Sequence, residues 1–164
     1  MIFETERLIV RRLLFEDLNA FHRLESNPLV LKYATGVVKN LNENKEELRA
    51  LISNYSKPKN DFWIYAIQRK SDDKFIGTVA LVKDNLDDEI GYRFIEKFWN
   101  LGYGAEVCKG LISFCKHLKM IKIIAYVVDQ NIGSVKILEN NGFKVVKKFM
   151  NDENQLETKY RLKL

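Results

Sequence analysis

A Gly-x-Gly turn lies between a strand-like segment and a helix-like segment, and its residue types suit it to bind an anion. The turn is Gly102-Tyr103-Gly104, with the strand-like run 89–95 before it and the helix-like run 105–118 after it. Glycine lets the backbone turn without a side chain in the way. The first turn of a helix offers unpaired N–H groups and the positive end of the helix dipole. The spacing therefore predicts a site for the phosphate groups of a cofactor.

Other functions of the same turn follow different sequence rules. A dinucleotide-binding turn needs a third glycine and a mostly parallel sheet, but position 107 is Val, and three strand-like runs predicted to be antiparallel (62–69, 75–83 and 89–95) lead directly to the turn. A kinase-type phosphate loop needs Gly-Lys-Ser/Thr, which does not occur here. Two glycines by themselves also fit a turn that binds nothing, so the neighbouring elements must decide.

The predicted elements before the turn include consecutive antiparallel strands, whereas strands and helices alternate after it. Predicted strands are 8–13, 62–69, 75–83, 89–95, 121–128, 144–149 and 158–164. Predicted helices are 16–25, 29–33, one capped by Asn42 or Asn44 that ends before Lys57, 105–118, and 132–141 capped by Asn131 and stopped by Gly142. The run 121–128 is almost continuously apolar, which is typical of a central strand buried on both faces. We expect one α+β (mixed α/β) domain over residues 1–164.

Composition narrows the class of protein and its partners. The chain has 164 residues and a net charge of +5, with its lysines scattered rather than clustered. We therefore expect no direct nucleic-acid binding, and an anionic cofactor is sufficient to explain the basic balance. No apolar run approaches the roughly 18 residues that span a bilayer, and the first residues do not resemble a signal peptide. We expect a cytoplasmic protein that does not bind a membrane.

The two cysteines do not suggest a metal site or a disulfide. Cys108 and Cys115 lie seven positions apart on one predicted helix. That spacing separates them by roughly 10 Å, which is too far for a disulfide bond. No Cys-x-x-Cys or His-Cys cluster is present, so we expect no metal and interpret both cysteines as core residues.

A longer pattern around the turn resembles a known family. Residues 89–94, Glu-Ile-Gly-Tyr-Arg-Phe, and residues 98–106, Phe-Trp-Asn-Leu-Gly-Tyr-Gly-Ala-Glu, resemble the acetyl-CoA-binding segment of the GNAT N-acetyltransferases. The closest resemblance is to the branch that acetylates ribosomal-protein alanine. Residues 4–11 with Asp17, residues 75–79, and residues 131–143 resemble further motifs of that branch in the same order. The resemblance implies a mixed, mostly antiparallel sheet that is splayed at the cofactor cleft and flanked by helices.

The resemblance also implies how acetyl-CoA is bound. The pantetheine would pair with the backbone of Phe94 and Ile95, in a gap between strands 89–95 and 121–128. The pyrophosphate would contact backbone N–H groups of the turn, from residues Leu101, Gly102, Tyr103, Gly104, Ala105 and Glu106. Asn131 is expected to cap its helix and contact the pantetheine. Lys136 would contact a CoA phosphate, unless it is simply a solvated lysine.

Acetyl transfer to an amine requires a proton to leave the amine and the thiolate to be stabilised. Glu89 is the candidate base, because strand alternation places it on one face with Gly91 and Arg93. Its alternative role is a solvated charge at a strand edge. Ser134 is the candidate donor to the leaving thiolate on the strength of the resemblance. Its position three residues after Asn131 also suits a residue that only faces the start of the helix.

The sequence departs from the resembled branch, and it leaves the acceptor open. Asn100 and Leu101 stand where the branch has Gly and a basic residue, which favours a second hypothesis of a non-catalytic acyl-CoA-binding module. In the first hypothesis the acceptor is a protein N-terminus or a small-molecule amine, and the protein is a monomer or homodimer. The acceptor site would be shaped by loops 33–44, 84–88 and 151–155.

Overall fold

A computed structural model describes residues 1–34 and 36–164 as an eight-stranded sheet with helices on both faces. The strands are β1 (Phe3–Glu4), β2 (Leu8–Arg12), β3 (Phe62–Arg69), β4 (Phe75–Asp84), β5 (Asp87–Phe94), β6 (Lys122–Val128), β7 (Lys144–Met150) and β8 (Leu156–Lys163). The helices are α1 (Leu18–Glu25), α2 (Pro28–Leu31), α3 (Leu41–Asn54), α4 (Tyr103–His117) and α5 (Ile132–Asn140), with 3-10 turns at Phe15–Asp17 and Glu96–Phe98. In this part of the chain no helix is long and apolar enough to cross a membrane.

The sheet is antiparallel everywhere except at one central pair of strands. Its order is β1-β2-β3-β4-β5-β6-β8-β7, and only β5 and β6 run parallel. The parallel pair exists because α4 crosses over between the two strands, as a strand–helix–strand unit requires. The predicted mixed, mostly antiparallel sheet is therefore confirmed.

The core forms where apolar faces of the helices cover the sheet. Ile123 and Ile124 in β6 are fully buried, which confirms the prediction of a central strand covered on both faces. On α4, Val107, Leu111 and Cys115 are essentially inaccessible. These residues recur at helical spacing, so burying them fixes α4 rotationally and orients its N-terminus. Cys108 is also buried and unpaired, as expected for both cysteines.

The start of α3 differs from the sequence prediction. Asn40, not Asn42 or Asn44, caps the helix, because its side chain accepts from the Glu43 N–H at 3.0 Å. The Glu43 carboxylate in turn accepts from the Asn40 N–H at 2.7 Å. Asn44 is fully buried, and its amide lies 2.8 Å from His22 Nδ1. The sequence pattern missed this because asparagine occurs at positions 40, 42 and 44, and each suits a helix cap.

Two of the loops predicted to shape the acceptor site also need comment. The predicted loop 84–88 is a two-residue turn at Asn85 and Leu86, because β4 and β5 pair as far as Asp84 and Asp87. Within the predicted loop 33–44, Thr35 lies outside the described residues.

Helix α5 ends as the sequence predicts. Gly142 has a φ of +85°, and its N–H donates to the Glu139 carbonyl, as expected for the residue that stops that helix.

Candidate active site

The centre of the site is a gap between the parallel strands β5 and β6. The strands pair at one position, where Glu89 lies opposite Ile124, and no further pair of described residues joins them toward Phe94. Ile95 N–H donates to Ile76 across β4 at 2.9 Å. Because hydrogen-bonded residues alternate along an antiparallel strand, the backbone groups of Tyr92 and Phe94 point away from β4 and into the gap.

This geometry corrects one predicted cofactor contact. Ile95 has no backbone group to offer, because its N–H donates to Ile76 and its carbonyl accepts from Phe98. The Phe94 carbonyl accepts the Trp99 indole N–H at 2.8 Å but retains its N–H for a ligand. An added strand of pantetheine would therefore pair with Tyr92 and Phe94 rather than with Phe94 and Ile95.

The turn at Gly102 directs the start of α4 toward this gap. Gly102 is the N-terminal cap and has a φ of +80°, a left-handed conformation that other residues adopt only with strain. The N–H groups of Tyr103, Gly104 and Ala105 form the first helical turn and have no partner within the helix. The predicted contact through the Glu106 N–H is wrong, because that group already donates to the Gly102 carbonyl at 3.2 Å.

Arg7, near the start of the chain, contacts the turn that precedes α4. Its guanidinium donates to the Leu101 carbonyl at 3.0 Å and to the Glu106 carboxylate at 2.6 Å, and it lies 4.5 Å from the centre of the Tyr103 ring. Burial would raise the pKa of Glu106, but hydrogen bonds from Thr5 and Arg7 lower it below the usual value. Arg7 thus adds positive charge beside a turn that has no basic residue at position 101.

A cavity of about 700 Å³ extends from this turn along the gap. Seven of the predicted site residues line it: Phe94, Gly102, Tyr103, Gly104, Ala105, Asn131 and Ser134. Leu29, Tyr33 and Trp99 supply apolar walls. The predicted residues Glu89, Ile95, Leu101, Glu106 and Lys136 are not part of this lining. Lys136 is exposed to solvent, so its predicted phosphate contact is not prearranged in the structure.

The start of α5 provides a polar wall of the cavity. The Asn131 side chain accepts from the Ser134 N–H at 3.3 Å and so caps the helix, as the sequence predicts. This cap uses the backbone N–H of Ser134 and does not involve the Ser134 hydroxyl. Ser134 lines the cavity, which brings a candidate donor to the same space as the α4 turn.

Tyr92 also lines the cavity, and sequence reasoning gave it no role. Its hydroxyl is buried and makes no hydrogen bond with any described residue. Burial raises the pKa of Tyr92 well above the usual value for tyrosine, so the hydroxyl stays protonated. Only its position in a strand could have drawn attention to it, since a tyrosine in a strand is ordinarily a packing residue.

Glu89 lies at the closed end of the gap, on the opposite face of β5 from Tyr92. Burial raises the pKa of Glu89 to about 7, and the charges of Asp84 and Glu157 add to this effect while Lys159 opposes it. On the same face of β5, Arg93 forms a 2.9 Å ion pair with Glu25 of α1. A carboxyl with this pKa exchanges protons readily near neutral pH, which is what a general base requires.

The parts of this site fit an acyl-CoA molecule. Phosphates suit the free N–H groups at the start of α4, and the amide groups of pantetheine suit the unpaired strand backbone. A strand gap next to a helix N-terminus, in a mixed sheet of this order, defines the class of CoA-dependent N-acyltransferases. Comparisons with known proteins agree with that assignment.

The chain belongs to the GNAT acetyltransferase family. Residues 7–144 match the family model described as an acetyltransferase (GNAT) domain. The uncharacterized N-acetyltransferase YoaA of Bacillus subtilis (strain 168) is 30% identical over 154 residues, covering 87% of this chain and 82% of YoaA. YnaD of the same organism is 28% identical over 148 residues, covering 88% and 83%. The protein is therefore an acetyltransferase.

Solved structures show the same fold at lower sequence identity. A GNAT-family acetyltransferase from Bacillus anthracis superposes with a TM-score of 0.85 at 22% identity, covering 98% of this chain and 97% of that one. RimL, a ribosomal L7/L12 α-N-protein acetyltransferase solved in complex with coenzyme A, superposes with a TM-score of 0.83 at 16% identity, covering 98% and 96%. The related enzyme from Salmonella typhimurium, which modifies the N-terminal serine of L7/L12, gives 0.81 at 14%, covering 98% and 96%.

Proposed function

We propose that the protein transfers an acetyl group from acetyl-CoA directly to a primary amine. The observation that carries this proposal is the gap between β5 and β6. A helix N-terminus suited to phosphate lies at its open end, and Glu89, with a pKa of about 7, lies at its closed end. A binding module without turnover would not need a titratable carboxyl there, so the catalytic hypothesis is preferred to the non-catalytic one.

The donor would be held mainly by the backbone. The free N–H groups of Tyr103, Gly104 and Ala105 bind the pyrophosphate, and Tyr92 and Phe94 pair with the pantetheine. Asn131, which caps α5 beside the same cavity, contacts the pantetheine with its amide. When bound, acetyl-CoA supplies an acetyl group activated as a thioester.

The protein's own residues would then move the protons. Glu89 takes a proton from the acceptor ammonium and releases a neutral amine that can attack the thioester carbonyl. As the C–N bond forms and the C–S bond breaks, the nitrogen loses its second proton to solvent. Ser134 donates a hydrogen bond to the sulfur as negative charge develops on it. The two groups approach from opposite faces of β5, which matches an amine and a thiol on opposite sides of the carbonyl carbon.

The acceptor that best matches this base is an N-terminal α-amine. An α-amine has a pKa of about 8, whereas a lysine amine has a pKa of about 10.4. Giving up a proton to a carboxyl of pKa about 7 therefore costs roughly 1 kcal/mol for the α-amine and over 4 kcal/mol for lysine. RimL and the Salmonella enzyme act on a protein N-terminus by their names, and their shared fold supports the same choice here.

A panel of acceptors tests this proposal. The purified protein is mixed with acetyl-CoA and with peptides of different N-terminal residues, polyamines or lysine derivatives, and free CoA thiol is measured. We expect thiol release with N-terminal peptides in excess of release with lysine amines, and little release from a Glu89→Gln control. Calorimetry that detects no acetyl-CoA binding, or binding without thiol release by any amine, would contradict the proposal.

A further inference from the structure

The Tyr92 hydroxyl is a buried polar group whose partner is missing from the protein itself. Buried hydroxyls without a hydrogen bond cost free energy, and native proteins rarely keep them without a reason. This one lies on the wall of the cavity that would hold acetyl-CoA. A ligand, or a neighbouring side chain that rearranges around a ligand, would supply the missing partner.

The ring of Tyr92 is held firmly, so its hydroxyl has a defined direction. A Cβ atom placed on Gly104 would lie 3.4 Å from Tyr92 Cε2 and 3.1 Å from Ile137 Cδ1. The absence of a side chain at Gly104 therefore makes room for the Tyr92 ring between β5 and the starts of α4 and α5. Tyr92 and Phe94 face α4, whereas Glu89 faces the other side of the sheet. Tyr92 thus lies on the side opposite the proposed base.

Ser134 is the polar side chain that Tyr92 meets on this side. Ser134 lines the same cavity as Tyr92, and it lies one helical turn before Ile137, whose side chain meets the same space at Gly104 as the Tyr92 ring. The Asn131 cap accepts from the Ser134 N–H at 3.3 Å and so does not use the Ser134 hydroxyl. A hydroxyl can accept one hydrogen bond and donate another at the same time.

We propose that, once CoA is bound, the Tyr92 hydroxyl donates a hydrogen bond to Ser134 Oγ and thereby orients the Ser134 O–H toward the CoA sulfur. Tyr92 is a positioning residue that acts through Ser134, and the inference rests on the proposed function. When the C–S bond breaks, the electron pair goes to sulfur, and the thiolate accepts the Ser134 hydrogen bond. Tyr92 and Ser134 both keep their protons, and the thiolate later takes its proton from solvent.

The test measures the thiol pKa of bound coenzyme A, which requires no acceptor. Thiolate absorbance is titrated with pH for CoA bound to the wild-type protein and its variants. Cys108 and Cys115 do not interfere, because burial raises the pKa of each to about 12. A hydrogen bond to the thiolate lowers its pKa, so we expect bound CoA in the wild type to titrate at least about one pH unit below free CoA.

Three variants separate positioning from packing. Tyr92→Phe is expected to lose most of this shift, Ser134→Ala to lose it as well, and the double variant to lose no more than Ser134→Ala alone. Tyr160→Phe is the matched control, since Tyr160 is also buried but its hydroxyl lies toward Glu139 at 3.4 Å. It should keep the full shift. With an acceptor present, Tyr92→Phe should lower kcat about tenfold and leave the KM for acetyl-CoA unchanged.

The melting temperature of Tyr92→Phe separates the proposed positioning role from a structural role. A hydroxyl that stabilised the fold would lower the Tm when it is removed. The Tyr92 hydroxyl makes no hydrogen bond in the free protein, so Tyr92→Phe should leave the Tm unchanged or raise it. Wild-type thiol titration in Tyr92→Phe, or effects of the two single variants that add, would overturn the inference while leaving the proposed function intact. Failure of the wild type to bind CoA would overturn both.

Discussion

The two ends of the strand gap are built by different means. The α4 end consists of backbone N–H groups and one left-handed glycine, all within a few residues of sequence. The Glu89 end consists of side-chain charges brought together from β4, β5 and β8. The difference teaches that the proposed donor site is a local feature of the chain, whereas the proposed proton chemistry is a property of the assembled sheet.

The two ends also differ in whether their buried carboxyl group has an ion-pair partner. Glu106, at the α4 end, is paired with Arg7 and has a pKa below the usual value. Glu89, at the other end, has no ion-pair partner among the described residues and has a pKa of about 7. Binding of an anion calls for fixed compensated charge, and proton transfer calls for a carboxyl that can change its charge.

The largest expected effect comes from removing the base. Glu89→Gln should lower kcat about 100-fold at pH 7, because the acceptor ammonium then has no proton acceptor. The loss should shrink as the pH rises past the pKa of the amine, since neutral amine is then already present. Steady-state kinetics from pH 6 to about 9 measure this. An unchanged pH–rate profile would remove Glu89 from the base role, and calorimetry should give wild-type acetyl-CoA affinity.

A second effect concerns stability, and the same substitution should increase it. The raised pKa of Glu89 means that the folded protein binds a proton more tightly than the unfolded chain between about pH 4.3 and 7. The wild type therefore loses stability as the pH rises through that window, and Glu89→Gln does not. We expect the variant to be more stable by about 1–2 kcal/mol at pH 8, after allowing for the partial exposure of Glu89.

Urea unfolding at pH 4 and pH 8 measures this difference. The two proteins should have nearly equal stability at pH 4, where Glu89 is protonated in the folded state and mostly protonated in the unfolded chain. Glu46→Gln is a suitable control, because the Glu46 side chain is 69% exposed and its substitution should change stability by no more than about 0.5 kcal/mol. A Glu89→Gln protein that is less stable at pH 8 would show that Glu89 is a structural charge.

The smallest of these effects is expected at the α4 end. Arg7→Ala should weaken acetyl-CoA binding about tenfold, because the Leu101 carbonyl loses its donor and Glu106 is left as an uncompensated negative charge near the phosphates. Calorimetry measures the affinity, and Arg49→Ala, which removes an exposed arginine paired with Glu46, provides the control. Equal affinities for the two variants would refute the role of Arg7. The pH dependence of kcat should stay unchanged.

Much of the fold could be predicted from sequence, because its signals are local. Strand alternation, β-branched runs and the order of helices gave the mixed sheet and its central strand β6. Errors arose where neighbouring residues were equally suitable, as with Asn40 against Asn42 and Asn44 as the cap of α3. Strand β1 was missed, because a two-residue strand leaves no periodic pattern.

The site could be predicted only in part, for the same reason. Gly102, Gly104, Asn131 and Ser134 do line the cavity; the two glycines and Asn131 were proposed from local turn and cap patterns, and Ser134 from the family resemblance. Ile95 was assigned backbone pairing with the pantetheine and Glu106 an N–H contact with the pyrophosphate, but hydrogen bonds inside the fold already use those groups. Which strand edge is free depends on pairing with β4, and residue types alone do not give that pairing.

By itself, then, the sequence determined the glycine turn that opens α4, the α+β class and the resemblance to acetyltransferases. Backbone conformation around glycines and helix caps is set by nearby residues, so these features can be inferred from it. The tertiary structure alone decided that Arg7 supports a turn almost a hundred residues away, that burial raises the pKa of Glu89 to about 7, and that the buried Tyr92 hydroxyl has no partner among the described residues. Each of these depends on distances and desolvation that exist only once the sheet has formed.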